Sequence, residues 1–135
     1  MSHPLRFDET DPLLARLRQV CLALPGSAEK ISHGRPTFYT RKVFAIFGGV
    51  VKGDHTSDLL ARALVFLPED GERPALLEDG RFVVPGYEGA YGWLALPLDD
   101  AGGTGVDWTE VAELVETSYR RTAPATAVRL LDSAP

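Results

Sequence analysis

Cysteine is nearly absent from this sequence. Cys21 is the one thiol among 135 residues, so no disulfide can form within the chain and a disulfide-stapled secreted scaffold is excluded. Cys21 lies among apolar residues at helical spacing, which predicts a buried, inert thiol. No Cys/His cluster has the ligand spacing of a zinc site. The three histidines, His3, His33 and His55, also lack the spacing of helical ligands, so we predict neither a metal nor a cofactor.

Long apolar runs are absent as well. No segment approaches the roughly 18 to 20 apolar residues that a membrane-spanning helix needs. The polar start MSHPLRFDET lacks the basic flank and apolar stretch of a secretory signal. We therefore expect a cytoplasmic protein with no membrane partner. The length is that of one domain, and we predict a loose lead-in over residues 1–10 and a single domain over residues 11–135.

The sequence motifs of common enzyme classes are missing. There is no GxxxxGK[ST] phosphate loop and no GxGxxG after a strand. No serine has the context of a nucleophile elbow. This pattern favours a non-enzymatic binding module, and no catalytic residue is assigned.

The charge is acidic overall and uneven along the chain. The formal net charge of −5 argues against a nonspecific nucleic-acid binder, which is usually basic. Residues 30–62 nevertheless hold six bases against two acids, whereas residues 66–116 hold two bases against twelve acids. The fold decides whether this polarity along the sequence is also a polarity in space.

An amphipathic helix is predicted near the start. Asp11 is a typical N-cap, and Pro12 suits the first helical position, where its missing N–H costs nothing. The apolar stripe consists of Leu13, Leu17, Val20, Cys21 and Leu24, which share one helical face. Pro25-Gly26 ends the helix.

Further helices are predicted near the end. After a polar loop, Asp99–Gly105, Asp107 is placed as an N-cap, and Glu110 follows three residues later as in a capping box. The second amphipathic helix runs to about Arg121. A short terminal helix is predicted over Ala125–Leu131.

Between the helices, short runs rich in β-branched and aromatic residues predict strands. In order, the runs are Ile31–His33, Thr37–Thr40, Lys42–Val51, Ala61–Leu67, Arg81–Val84 and Gly92–Leu98. A hairpin turns near Arg41-Lys42, and Gly48-Gly49 indicates a bulge or the close approach of another backbone. Because tight turns join antiparallel strands, we predict a two-layer α+β domain. It has an antiparallel sheet of five to six strands, flanked by an N-terminal and a C-terminal helix.

The stretch over residues 32–45, SHGRPTFYTRKVFA, places aromatic side chains among bases. Such a surface can stack on nucleobases and neutralise phosphates. The candidates for a nucleic-acid site are Lys30, His33, Arg35, Tyr39, Arg41, Lys42, Lys52, Arg120 and Arg121. The alternative is a hairpin whose bases are solvated and whose Phe38 and Phe44 belong to the core.

The glycine-rich loop over residues 85–93 is a second candidate site. Its aromatic residues Tyr87, Tyr91 and Trp93 are of the kind that anchor interfaces. The loop could therefore bind a small ligand or a protein partner. The alternative places Trp93 beneath a helix, as an ordinary core residue.

Three motif blocks, taken together, resemble the MmcQ/YjbR family of small bacterial proteins. The blocks are LPGxxEKxSHGRPTFxxxxxFA over residues 24–45, VVPxYxGxxGW over residues 83–93 and DWxEVxxLVxxSYRxxAP over residues 107–124. The similarity covers about residues 11–124. It implies a CyaY-like α+β fold and a "double-wing" arrangement with DNA as the partner, and it assigns no catalytic residue. Where relatives tend to carry a basic pair after Ala-Pro, this chain has Ala125-Thr126.

Overall fold

The computed structural model describes residues 4–99 and 105–134. His3 and residues 100–104 of the predicted loop Asp99–Gly105 lie outside the described residues. The five strands are β1 (Ala28–Ser32), β2 (Arg35–Tyr39), β3 (Val43–Phe47), β4 (Ala63–Phe66) and β5 (Leu94–Pro97). The helices are α1 (Pro12–Leu22), α2 (Arg73–Asp79), α3 (Trp108–Thr122) and α4 (Ala125–Ser133), with a 3-10 helix at Glu88–Tyr91. The strands form one antiparallel sheet, which confirms the predicted α+β class.

The strands lie in the sheet in the order in which they occur along the chain. A two-residue turn joins β1 to β2, with His33 at φ 53° and Gly34 at φ 81°. Two positive φ values in succession give a turn whose twist matches that of a hairpin. The predicted hairpin turn at Arg41-Lys42 is confirmed, since Thr40 and Val43 flank it between β2 and β3.

The predicted strand Arg81–Val84 is wrong. Only Val83 pairs with the sheet, through two 2.8 Å hydrogen bonds with Ala95 of β5. The segment is short, and Pro85 follows it with no N–H to extend the ladder. The sheet therefore has five strands.

The helices α1 and α3 cover one face of the sheet, here called the helix face. Its core includes fully buried residues from α1, α3 and four strands, among them Leu14, Leu17, Cys21, Phe38, Phe44, Phe66, Leu94, Val111, Val115 and Tyr119. The core positions predicted for Phe38 and Phe44 are confirmed, and so is the buried thiol of Cys21. The predicted stripe on α1 missed Leu14, which is fully buried in this core.

The opposite face of the sheet, here called the open face, is covered by loops. A small cluster of Leu60, Ala63, Val65 and Ala95 is buried there, and Ile46, Val51, Val83 and Trp93 pack against it while remaining partly exposed. The chain crosses this face after β3, where Gly48 adopts φ 94°. A Cβ at Gly48 would lie only 2.9 Å from the carbonyl oxygen of Ala61, so the predicted close approach of a second backbone is confirmed.

Candidate ligand-binding cleft

A cleft of about 810 Å³ lies on the open face, between the sheet and two loops. Its floor includes Arg35 and Thr37 of β2 and Ile46 of β3. One wall is the segment after β3, which carries His55, and the other is the 3-10 helix before β5. The cleft exists because short loops, rather than an α-helix, cover this side of the sheet.

Strand alternation explains why β2 supplies polar groups to the cleft. Successive side chains of a strand point to opposite faces. Phe38 therefore packs in the core of the helix face, whereas Arg35 and Thr37 line the cleft. Thr37 lies opposite Ile46 in the register of β2 and β3, which places both on the same face.

Arg35 is a charged residue on the floor of this cleft. Its side chain is half-buried and makes no hydrogen bond or ion pair with any residue that the structure describes. Burial lowers the pKa of Arg35, the nearby charge of Arg6 lowers it further, and Glu88 opposes both effects. A guanidinium holds its charge through such shifts, so the cleft contains a cation that has lost water without gaining a partner.

The guanidinium of Arg35 lies against the backbone of Gly48. A Cβ at that position would come within 2.5 Å of Arg35 Nη1. The glycine thus leaves room for the guanidinium as well as for the chain crossing at Ala61. The absence of a side chain at Gly48 therefore permits both close contacts.

The aromatic residues of the predicted loop site also lie at the cleft. Tyr87 and Tyr91 line it and are exposed, at 68% and 81%, while Trp93 is half-buried on the open face. The rings of His55 and Tyr87 contact each other, with centroids 5.3 Å apart. The alternative that placed Trp93 beneath a helix is wrong, because Trp93 packs with Leu60 and Val65 on the face away from α1 and α3.

The structure divides the residues predicted for DNA binding into separate groups. His33 and Arg35 line the cleft. Lys30 lies opposite Thr37, and its Nζ is 4.9 Å from the centre of the Tyr39 ring, so this pair borders the cleft on the open face. Exposed bases at the hairpin tip and in the loop after β3 are Arg41, Lys42 and Lys52.

The two arginines of α3 do not join this group. Arg120 forms ion pairs with Glu116 and with Asp132 at 2.7 Å. Arg121 donates a hydrogen bond to the carbonyl of Pro68 and lies 3.4 Å from Asp70. Both belong to the helix that packs on the helix face, and acidic side chains already neutralise them.

Arg6 and His55 are charged or titratable residues of the cleft that sequence reasoning does not identify. Arg6 belongs to the lead-in, and its backbone N–H donates a 2.8 Å hydrogen bond to the carbonyl of Gly34. His55 lies in a polar loop that carries no motif. Neither residue has a local pattern that would signal its place, since both reach the cleft only through the tertiary fold.

Within residues 4–99 and 105–134, no three His, Cys, Asp or Glu side chains come together as metal ligands could. In the same part of the chain, every helix is too short or too polar to cross a membrane.

Comparison with known proteins places the chain in a family. No curated protein and no solved structure matches it. The family model described as YjbR matches residues 22–121, a span that includes all five strands and nearly all of α3. Since this match covers most of the 135 residues, the chain belongs to the YjbR family.

Proposed function

We propose that this protein is a binding module for a small anionic ligand that also has a flat apolar part. The observation that carries the proposal is Arg35, a half-buried guanidinium without a partner among the described residues, on the floor of a cleft of about 810 Å³. Ligand sites are typically clefts of this size with a few polar groups among apolar walls.

The charges that line the cleft favour an anion. Arg6 and Arg35 face one carboxylate, that of Glu88, among the described lining residues. The described residues that line the cleft therefore carry an excess of positive charge. A charge-assisted hydrogen bond from Arg35 to a ligand oxygen would replace the water that burial has removed.

The aromatic side chains favour a ligand with a flat apolar part. Tyr87, Tyr91 and Trp93 border the cleft, and aromatic rings prefer offset-stacked or edge-to-face contacts with other rings. Because Tyr87 and Tyr91 are exposed, they gain apolar contact only when something binds beside them.

The proposal is tested by titrating the protein with benzoate, which combines a ring with one negative charge. Binding is followed by the NMR signal of the Trp93 indole N–H, in a chain carrying Trp108→Phe so that one tryptophan remains. We expect this signal to shift on titration and Arg35→Ala to abolish the shift.

Arg41→Ala is the matched control, since it removes the same charge from the exposed hairpin tip and should leave binding unchanged. If Arg35→Ala and Arg41→Ala bind benzoate as the unsubstituted protein does, the proposed site is wrong.

DNA binding is a second candidate, and one arrangement favours it. Lys30 and Tyr39 extend the open face beyond the cleft, and Arg41 and Lys42 at the hairpin tip have no ion pair with the described residues. If these three bases neutralise phosphates, log K should fall with log salt at a slope of about −3 on duplex DNA.

The measurement for DNA is fluorescence anisotropy of a labelled duplex at several salt concentrations. A salt-dependent change at micromolar protein supports the candidate. No change at low salt, or affinity that salt does not alter, would count against it.

A further inference from the structure

The two arginines of the cleft restrict which anion fits it. Arg35 lies on the floor and Arg6 reaches the cleft from the lead-in. Neither guanidinium forms a hydrogen bond or an ion pair with a residue that the structure describes, and Arg6 is near enough for its charge to lower the pKa of Arg35. Two like charges in one cleft repel each other, so an anion bound by both would relieve the repulsion.

The number of acceptor oxygens distinguishes the possible anions. A carboxylate has two oxygens, and a single guanidinium can satisfy both in a bidentate pair. A phosphate monoester has three terminal oxygens and a charge of about −1.5 to −2 at pH 7, which suits two guanidinium groups. We infer that the ligand of this cleft carries a phosphate group that Arg6 and Arg35 bind together. This inference rests on the function proposed above and names the ligand's charged group.

The lead-in is attached where it can supply Arg6. The Arg6 N–H donates to the carbonyl of Gly34, at 2.8 Å, in the turn between β1 and β2. A Cβ on Gly34 would lie 2.2 Å from the carbonyl oxygen of Pro4 and 3.2 Å from Arg6 Cγ. The preceding turn residue, His33, also lines the cleft and has a φ of 53°, a conformation that few non-glycine residues adopt. The turn thus holds a second cation beside the one on β2.

Glu88 sets a limit on where the phosphate lies. Its carboxylate would repel a second anion, and its charge acts on Arg35 from the 3-10 helix. The phosphate is therefore expected between the arginines, on the side away from Glu88, with the ring of the ligand toward Tyr87 and Tyr91.

The experiment compares two probes that share a phenyl ring, phenyl phosphate and benzoate, by NMR titration of the full chain. Inorganic phosphate serves as a third probe, without the ring. We expect phenyl phosphate to bind at least about 10-fold more tightly than benzoate. Arg6→Ala should weaken the binding of phenyl phosphate by on the order of 10- to 100-fold, which corresponds to the loss of hydrogen bonds to a charged group. The same substitution should change benzoate binding by less than about 3-fold.

Gly34→Ala provides a second variant that leaves both arginines in the chain. It should displace the lead-in and reproduce the selective loss of phenyl phosphate, while the two-dimensional amide spectrum reports whether the sheet stays folded. Arg41→Ala is the control of equal charge.

The outcomes separate this inference from the proposed function. If benzoate binds through Arg35 but phenyl phosphate is no tighter, or Arg6→Ala affects both probes equally, the phosphate inference is overturned while the ligand site stands. If no probe binds, or Arg35→Ala alters neither probe, both are overturned. If inorganic phosphate binds as tightly as phenyl phosphate, the binding of phosphate by the two arginines is supported. The contribution proposed for the aromatic rings is then overturned.

Discussion

At the residue scale, a few polar groups join the two layers of the molecule. Ser118 of α3 is fully buried, and its hydroxyl donates to the carbonyl of Phe44 at 2.5 Å while accepting from the N–H of Leu67 at 2.9 Å. Tyr119 beside it donates from its hydroxyl to the carbonyl of Pro25. The last turns of α3 are thus fixed to β3, to the end of β4 and to the segment before β1.

Ser118→Ala tests this junction. It removes the hydrogen-bond partner of two backbone groups, and we expect a loss of about 1–3 kcal/mol in the free energy of unfolding. Urea unfolding measures the change. Ser133→Ala removes an exposed hydroxyl that bonds to the carbonyl of Leu130 and should cost about 0.5 kcal/mol or less. Equal effects of the two substitutions would contradict the role given to Ser118.

Asp11 gives the protein a specific dependence on acid. Its side chain caps α1 through the N–H of Leu13 and accepts two 2.7 Å hydrogen bonds from Arg62. The Arg62 guanidinium is the main cause that lowers the pKa of Asp11 below its ordinary value of 3.8. Because the folded pKa is depressed, the stabilisation is complete above pH 3.8 and is lost as the pH falls through the folded pKa.

Asp11→Asn keeps a capping oxygen but removes the charge. We expect a loss of about 1 kcal/mol at pH 7, toward the lower end for such bonds because Arg62 is partly exposed. The difference from the unsubstituted protein should shrink as the pH falls below 3.8, as followed by urea unfolding across that range. Asp132→Asn, at an exposed pair with Arg120, is the control and should cost less. A difference that grows on acidification would contradict this assignment.

Cys21 is expected to be unreactive in the folded protein. It is fully buried, and burial raises the pKa of its thiol, so little reactive thiolate forms at pH 7. Ellman's reagent should label it slowly in buffer and rapidly in denaturant. Fast labelling of the native protein would show that α1 opens away from the sheet.

At the scale of elements, the 3-10 helix before β5 and the residues after it differ in how far they are buried. Tyr91 is 81% exposed on this turn, whereas Trp93, two residues later, packs against the buried cluster of the open face. A substitution at Tyr91 can therefore change the lining of the cleft without changing the packing of the core.

Tyr91→Ala should therefore weaken benzoate binding by about 2- to 10-fold, the value of one aromatic pair. Its free energy of unfolding should stay within about 0.5 kcal/mol of the original. Trp93→Ala should lower both binding and stability, because it also empties part of the packed cluster. Titrations followed by backbone amide NMR signals, which Trp93→Ala retains, and urea unfolding distinguish the two variants. Unchanged binding in Tyr91→Ala would remove this turn from the site.

Elements also show the limits of local patterns. The N-caps Asp11 and Asp107 were predicted and are confirmed by their bonds to Leu13 and Glu110, since a cap depends on neighbouring residues alone. The reciprocal half of the capping box is replaced by a distant partner. The carboxylate of Glu110 instead accepts two hydrogen bonds from Arg81, the shorter at 2.7 Å.

At the scale of the whole molecule, the uneven charge of the sequence becomes partly a difference between the two faces. Bases of β1 and β2 lie on the open face, while the acidic stretch supplies partners to the arginines of α3. The net charge of −5 therefore does not describe either face by itself.

This distribution gives a charge-matched test of the DNA candidate. The pair Arg41→Ala/Lys42→Ala removes two unpaired bases, and the pair Arg120→Ala/Arg121→Ala removes two that are already paired. If DNA binds the open face, the first pair of substitutions should weaken binding of the duplex and reduce the salt slope by about 2. The second pair should change the affinity and the slope little. Equal losses in the anisotropy assay would show that only net charge matters.

The sequence by itself determined the parts of this protein that depend on near neighbours. Caps, amphipathic stripes and tight turns led to the α+β class, to antiparallel pairing and to the buried Phe38 and Phe44, and the order of three motif blocks led to the family. These features repeat at fixed spacings, so they can be recognised along one dimension.

Only the tertiary structure decided which candidates share a site. It brought Arg35 together with Tyr87, Tyr91 and Trp93 in one cleft, although the sequence analysis had assigned them to two separate candidate sites. It also added Arg6 from the lead-in. It also directed Arg120 and Arg121 to acidic partners on the helix face. The physical reason is that a cleft is made by segments far apart in the chain. These segments come together because of which face of the sheet the loops cross and because Gly34 and Gly48 leave room for close contacts. Neither feature produces a local periodic pattern in the sequence.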